Sequence, residues 1–192
     1  AETVSWGPEV DVTIHYAKAM ADFYGLPYRG GGSLSAAKEL DFENGAETAL
    51  CLAATMDAGT DFIFHVFGEM DGLNAFSPEK YVLDEELMAS LLHTKDRDIF
   101  AEEFLCMESM EDVGPRGNYL TEEETVDLYK SEVFYPSLSN ISTYSGWEAG
   151  GRPSVVEKAK AAVEKRLAEY EFPEYSQRQK KILDHILQGI EG

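Results

Sequence analysis

The stretch "TDFIFHVFGEMDGLNAFSPEKYVLD", Thr60 to Asp84, decides how this chain is read. Its opening, "DFIFHVF" (Asp61 to Phe67), is aromatic and β-branched with hardly a polar side chain. That pattern suits a strand covered on both faces, as parallel strands are. His65 stands near its end, and Gly68, Glu69, Asp71 and Gly72 follow in one loop. Ser77-Pro78-Glu79 then opens a helix, with Ser77 as N-cap and Pro78 at the first position.

Upstream, the pattern repeats. Residues 8 to 24 read as an amphipathic helix, with Pro8 in its first turn and Val12, Tyr16, Ala19, Met20 and Phe23 at helical spacing. Gly25 stops it, and "LPYRGGGS" is a short strand running into three glycines. Asp41 to Ala58 is a helix rich in alanine and leucine, ended by Gly59. Downstream, residues 97 to 112 read as helix, "GPRGNYL" as a turn into a short strand, and 121 to 131 as an acidic helix. A long aromatic connection, "FYPSLSNISTYSGWEAGGRP", leads to two closing helices, Ser154 to Tyr170 and Tyr175 to Ile190.

Strand, glycine turn and helix in succession predict a parallel α/β fold. Residues 1–150 carry the βα repeats, residues 151–192 the closing helices, and no linker divides them. A closed barrel takes eight strands and about 250 residues. The 192 residues here offer three or four strands, so the reading is a small open sheet or a portion of a barrel.

The composition bounds the function. Sixteen basic against 36 acidic residues give a formal net charge of −20, which repels phosphate backbones and anionic membranes. Nucleic acid is not an expected partner, nor is a membrane, since no apolar run approaches the roughly 20 residues of a span. No secretory leader is visible, and the sequence begins without methionine, as a processed, tagged or excerpted chain would. Cys51 and Cys106 fit no zinc or redox spacing and are expected as buried thiols in a reducing cytoplasm.

In parallel α/β folds, ligands bind outside the carboxyl ends of strands. Two segments fall there: "RGGGSLS" (Arg29 to Ser35) and "HVFGEMD" (His65 to Asp71). The glycines are either a structural turn or a place where a ligand approaches the backbone. Their spacing matches neither nucleotide loop. His65 is either hydrogen-bonded core or a group held toward a ligand. With no cysteine or second histidine at ligand spacing, metal binding is disfavoured.

"YGLP" (Tyr24 to Pro27), "SAAKELDFENGAE" (Ser35 to Glu47) and "HVFGEMDGLNAFSPEKYVLD" (His65 to Asp84) resemble the carboxyl-terminal half of the trimethylamine methyltransferase family. "GPRGNYL", "FYP" (Phe134 to Pro136) and "WEAGG" (Trp147 to Gly151) extend the resemblance in the right order, and Lys38-x-x-Asp41 and Ser77-x-Glu79-Lys80 are its most specific points. The resemblance implies a portion of a (β/α)8 barrel of TIM type. It also implies transfer of a methyl group from a methylated amine to the cobalt of a separate corrinoid protein.

On this resemblance, His65 falls where the family has a histidine closing a barrel strand and is the candidate catalytic residue. Asp71 falls where a glutamate is common. The founding enzymes carry pyrrolysine near the glycine turn, whereas this chain has Gly31 to Leu34 there, so it resembles a non-pyrrolysine member of glycine betaine type. Ala36, Glu43 and "LTEEET" (Leu120 to Thr125) depart from the family pattern.

Without the special electrophile, a quaternary ammonium is the natural substrate, because it leaves as a neutral amine. Aromatic faces hold such cations through the ring quadrupole. Tyr28, Phe64, Phe67 and Phe76 lie near the strand ends, and Arg29 or His65 could take a substrate carboxylate. The expected substrate-binding set is therefore Tyr28, Arg29, Gly31, Gly32, Phe67, Asp71 and Phe76. No metal is expected and no cofactor is bound tightly. "LDHILQG" near the end reads as a surface helix, so the corrinoid (cobalamin) comes on a partner protein. A tertiary-amine methyltransferase and a non-catalytic half-barrel are the competing readings. A portion of a barrel exposes sheet edges, so a homo-oligomer or a missing amino-terminal half is expected.

Overall fold

The computed structural model describes residues 9–95 and 105–190. Pro8 and the first half of the expected helix over 97–112 lie outside them. Helix α1 (Glu9–Phe23) has Glu9 and Asp11 at the positive end of its dipole. It ends at Gly25, whose φ of +64° is the left-handed conformation that closes helices. Strand β1 (Arg29–Gly31) follows, then α2 (Phe42–Asp57), whose N-cap Asp41 accepts from the Asn44 amide. β2 (Phe62–Phe64) returns parallel to β1, with Arg29 beside Phe62, Gly30 beside Ile63 and Gly31 beside Phe64. β1–α2–β2 is thus a parallel βαβ unit, the α/β element expected from sequence.

The second strand is shorter than Asp61–Phe67 and is not covered on both faces. Phe62 and Phe64, two residues apart and so on one face of the strand, are 60% and 41% exposed, and among the described residues β2 pairs only with β1. Past Phe64 the backbone leaves strand geometry. His65, Gly68, Asp71, Gly72 and Leu73 all have positive φ, and the chain folds into a small antiparallel hairpin. Its strands are β3 (Glu69–Met70) and β4 (Ala75–Phe76), joined by the 3-10 turn Asp71–Leu73. The described strands thus form two two-stranded sheets, and no closed barrel is present among the described residues.

Helix α3 (Pro78–Lys95) begins as read, with the Ser77 hydroxyl accepting from the Lys80 amide. α4 (Met107–Val113) and α5 (Glu123–Glu132) follow. "GPRGNYL" forms no strand. Gly114 and Arg116 take left-handed φ of 65° and 68°, which turns the chain instead of extending it. The long connection contains a helix not anticipated, α6 (Tyr144–Ala149), capped by Thr143. α7 (Val155–Glu169) opens with a capping box between Ser154 and Glu157, and α8 (Gln177–Ile190) ends the described chain.

Two apolar clusters hold these elements. Ile14 of α1 packs on Cys51 and Ala54 of α2, with Val10, Tyr28, Leu34 and Ala58 around them. Val82 of α3, Leu138 and Ala159 of α7 form the second, backed by Leu83, Ala162 and Val163. Leu52 is fully buried, which stabilises the fold by about 1.5–3 kcal/mol relative to an exposed side chain. Cys51 is buried as expected; Cys106 is only half-buried, in a left-handed conformation ahead of α4.

Candidate functional site

Parallel pairing carries the two candidate segments to the same end of the sheet. Because Gly31 lies beside Phe64, the next residues, Gly32 and His65, leave their strands side by side. The Ser33 amide donates to the His65 carbonyl at 3.2 Å. A Cβ on Gly32 would stand 2.6 Å from Val66 Cα and 2.8 Å from the His65 oxygen, so this glycine is required by the neighbouring backbone. One on Gly31 would meet only the flexible Leu34 side chain, at 2.6 Å.

His65 has φ of 54°, a conformation that costs a non-glycine residue energy and that concentrates at functional sites. Its Nδ1 lies 3.1 Å from Glu69 Oε1, and its ring meets Phe64 edge-on at 4.0 Å. The imidazole keeps 30% of its surface exposed, so it is not enclosed in aliphatic packing. Glu69 orients the ring and fixes which nitrogen faces outward.

The aromatic candidates divide into separate groups. Phe64 stacks under the Arg29 guanidinium, 4.2 Å from the ring centre. Phe67 and Phe76 flank Tyr81 at 5.0 and 6.3 Å. Tyr28 joins neither; it packs on the helix core beside Ile14 and Cys51, because its backbone precedes β1. Asp71 reaches across to Lys38, with Oδ1 3.1 Å from Nζ, while its amide donates to the Ala37 carbonyl. The hairpin is thereby tied to the loop after the glycine turn. Tyr81 was not anticipated, although its place three residues after Pro78, between Lys80 and Val82, puts it on the turn of α3 nearest the hairpin.

Beneath these loops lies a polar network that the sequence reading did not assemble. Lys80 is fully buried, and its Nζ donates to Asp84 Oδ2 at 2.6 Å and to the Ser33 carbonyl at 2.9 Å. Asp84 Oδ2 also accepts from the Ser33 hydroxyl at 2.7 Å and the Gly68 amide at 2.8 Å. The Val66 carbonyl also lies within hydrogen-bond reach of the Ser33 hydroxyl, so it shares that group's single proton with Asp84. Burial pushes the Lys80 ammonium down and the Asp84 carboxyl up from their ordinary values, and each partner's charge offsets part of the other's shift. The sequence signal was a lysine and an aspartate four apart, on either side of Val82, an apolar residue of a helix face.

A second network fixes the far side of the glycine turn. Glu47 Oε2 accepts from the Ser35 hydroxyl and the Ala36 amide, both at 2.8 Å, and Asn44 donates to Ser35 Oγ at 3.1 Å. The Ser35 carbonyl accepts the Gly72 amide at 3.0 Å. Among the described residues, no three His, Cys, Asp or Glu side chains stand together as a metal site. No described helix is long and apolar enough to cross a membrane.

Residues 4–188 match the family model for trimethylamine methyltransferase (MTTB). The chain is 34% identical over 166 residues to a glycine betaine methyltransferase of Desulfitobacterium hafniense (strain Y51), covering 86% of this chain and 34% of that protein. It is 32% identical over 174 residues to an L-carnitine:corrinoid methyltransferase of Eubacterium limosum, covering 86% and 35%. With the trimethylamine methyltransferase MttB of Methanosarcina thermophila it shares 30% over 147 residues, covering 75% and 29%. The chain spans about a third of the length of these curated relatives. The glycine turn, the histidine beside it and the capped helix behind them thus sit within a match that runs almost from end to end: the chain belongs to the trimethylamine methyltransferase (MTTB) family.

Proposed function

We propose that this chain is a portion of an α/β-barrel methyltransferase that moves a methyl group from a quaternary amine to Co(I) of a corrinoid protein. The observation that carries this is that Gly32 and His65 leave two neighbouring parallel strands side by side, just past the last rung between Gly31 and Phe64, where such folds bind ligands. The likeness to a glycine betaine methyltransferase supports the quaternary substrate. So does the absence of pyrrolysine between Gly31 and Leu34.

The chemistry is an in-line displacement. The bond from methyl carbon to nitrogen breaks with its electron pair on nitrogen, while carbon takes a pair from Co(I), which becomes methyl-Co(III). The leaving amine is neutral, so the protein's work is orientation without opposing the loss of positive charge. The faces of Phe67, Phe76 and Tyr81, which stand together beside the hairpin, hold the ammonium group, each contact contributing roughly 0.5–2 kcal/mol. Arg29, whose guanidinium stacks on Phe64, binds a substrate carboxylate. His65, braced by Glu69, lines the approach to the methyl group. The corrinoid arrives on its own cytoplasmic protein and leaves methylated.

A second reading is favoured by the exposed Phe62 and Phe64: the chain completes its barrel against another part of the protein or another chain, and contributes no reacting group. One experiment separates the two. The full polypeptide carrying this chain is given Co(I) cobalamin with glycine betaine or with trimethylamine, and methylcobalamin is followed by its absorbance. Formation with the betaine and not with trimethylamine supports the first reading. Formation with trimethylamine alone replaces the quaternary substrate by a tertiary one, and no methylcobalamin with either leaves the structural role.

A further inference from the structure

We infer that Lys80 and Asp84 are positioning residues for this same site, a buried latch on α3 that sets the spacing between the glycine turn and His65. The inference rests on the function proposed above. Its physical basis is that one ion pair grips both loops. Lys80 Nζ holds the turn through the Ser33 carbonyl, at 2.9 Å. Asp84 Oδ2 holds the turn through the Ser33 hydroxyl and the second loop through the Gly68 amide, at 2.7 and 2.8 Å. The Ser33 amide closes the ring through the His65 carbonyl, at 3.2 Å. The pair therefore reaches the backbone on each side of the imidazole, at residues 33 and 68, without touching the ring.

A charge route runs beside the mechanical one. The Lys80 ammonium lies within electrostatic reach of Glu69, the carboxylate that orients His65. Lys80 is 0% exposed, so it serves neither a ligand nor solvent directly. A buried ion pair is weak evidence of stabilisation, because desolvation offsets most of the attraction. Retaining one at the junction of two ligand-facing loops is explained by geometry: it fixes positions that apolar packing would leave loose.

The test is the double variant Lys80→Met with Asp84→Asn, which leaves no lone buried charge and keeps an acceptor for the Gly68 amide. Two readouts are taken on the full polypeptide: ¹⁵N NMR of the imidazoles, and kcat and KM for methyl transfer to Co(I) cobalamin. The His65 ring signals are expected to shift or broaden while those of His15 and His93 stay in place. Turnover is expected to fall roughly tenfold or more, since small misplacements of reacting groups are costly, with KM within about threefold. Unmoved His65 signals with wild-type kcat would overturn the latch, as would all histidines shifting together, the mark of general loosening. Should the double variant not fold, Ser33→Ala removes the hydroxyl link from the turn to Asp84, leaving the Lys80 bond to the residue-33 carbonyl, and is read by the same two measurements. If the parent protein transfers no methyl group, the proposed function fails, and the His65 signals alone decide the latch.

Discussion

His65 and Ser33 are joined backbone to backbone, the amide of one donating to the carbonyl of the other at 3.2 Å. This bond lies just past the last rung of the β1–β2 ladder, two residues on from Gly31 and one from Phe64, and continues it into the two loops. The imidazole and the glycine turn therefore belong to one hydrogen-bonded corner.

Removing the ring while keeping the backbone is the direct probe of that corner. Asparagine tolerates left-handed φ better than most residues, so His65→Asn preserves the turn. Turnover with a quaternary amine is expected to drop more than tenfold with the circular dichroism spectrum unchanged, within the usual range for a positioned catalytic group. Wild-type turnover would return His65 to a structural role.

Gly32 offers a stability test. A methyl at this position would press on the backbone of Val66 and His65, which cannot swing aside as a side chain can. Gly32→Ala is expected to cost about 1–3 kcal/mol in urea unfolding, the range for overpacking. Gly45→Ala, where a Cβ meets nothing within 4 Å and the residue lies in α2, is expected to be neutral or stabilising by up to about 1 kcal/mol. Equal effects at the two sites would contradict the close approach.

Glu86 predicts an acid-sensitive joint. Burial opposes its ionisation, but hydrogen bonds from the Ser139 hydroxyl, the Leu138 and Ser139 amides and Ser137 outweigh it and hold its pKa below the ordinary carboxylate value. A carboxylate with a depressed folded pKa stabilises the fold above its unfolded value and loses that contribution as pH falls through the folded one. Glu86→Gln is thus expected to destabilise at neutral pH, and the gap to wild type should close below about pH 4, near the ordinary glutamate value. Urea unfolding at several pH values checks this, and a gap that widens on acidification would refute it.

The cap of α7 is a simpler case. Ser154 and Glu157 exchange hydrogen bonds in a capping box, and the neighbouring helix face carries Ala159 into the core. Ser154→Ala is expected to cost about 1 kcal/mol, measured as a lower denaturation midpoint. A wild-type midpoint would show that the box contributes nothing.

Apart from α6, the sequence made the described helices legible because helix signals are local: Asp41, Ser77 and Ser154 each sit where their oxygen meets an amide three residues on. The parallel βαβ unit was legible as well, since β1 and β2 flank a helix with glycine at the turns. What escaped was non-local. The run Asp61–Phe67 looked like one strand because its hydrophobicity is uniform, and nothing local announced that His65 and Gly68 would turn left-handed. Tyr28 looked like a site aromatic by its place before the glycines, yet which neighbour it packs on depends on α1 and α2. Lys80 and Asp84 stand four apart on α3, but the link from residue 84 back to residue 33 exists only once the sheet and α3 are assembled.

Val82 lies between the two latch residues on α3 and presses on Ala159, which has no exposed surface at all. Side chains larger than a methyl at 159 must push α3 outward, carrying residues 80 and 84 with it. A genetic screen for sluggish enzymes would then recover lesions on α7 that never meet a ligand. Those alleles would masquerade as defects of the reacting centre, and second-site suppressors for them should map to smaller residues at 82 and 138.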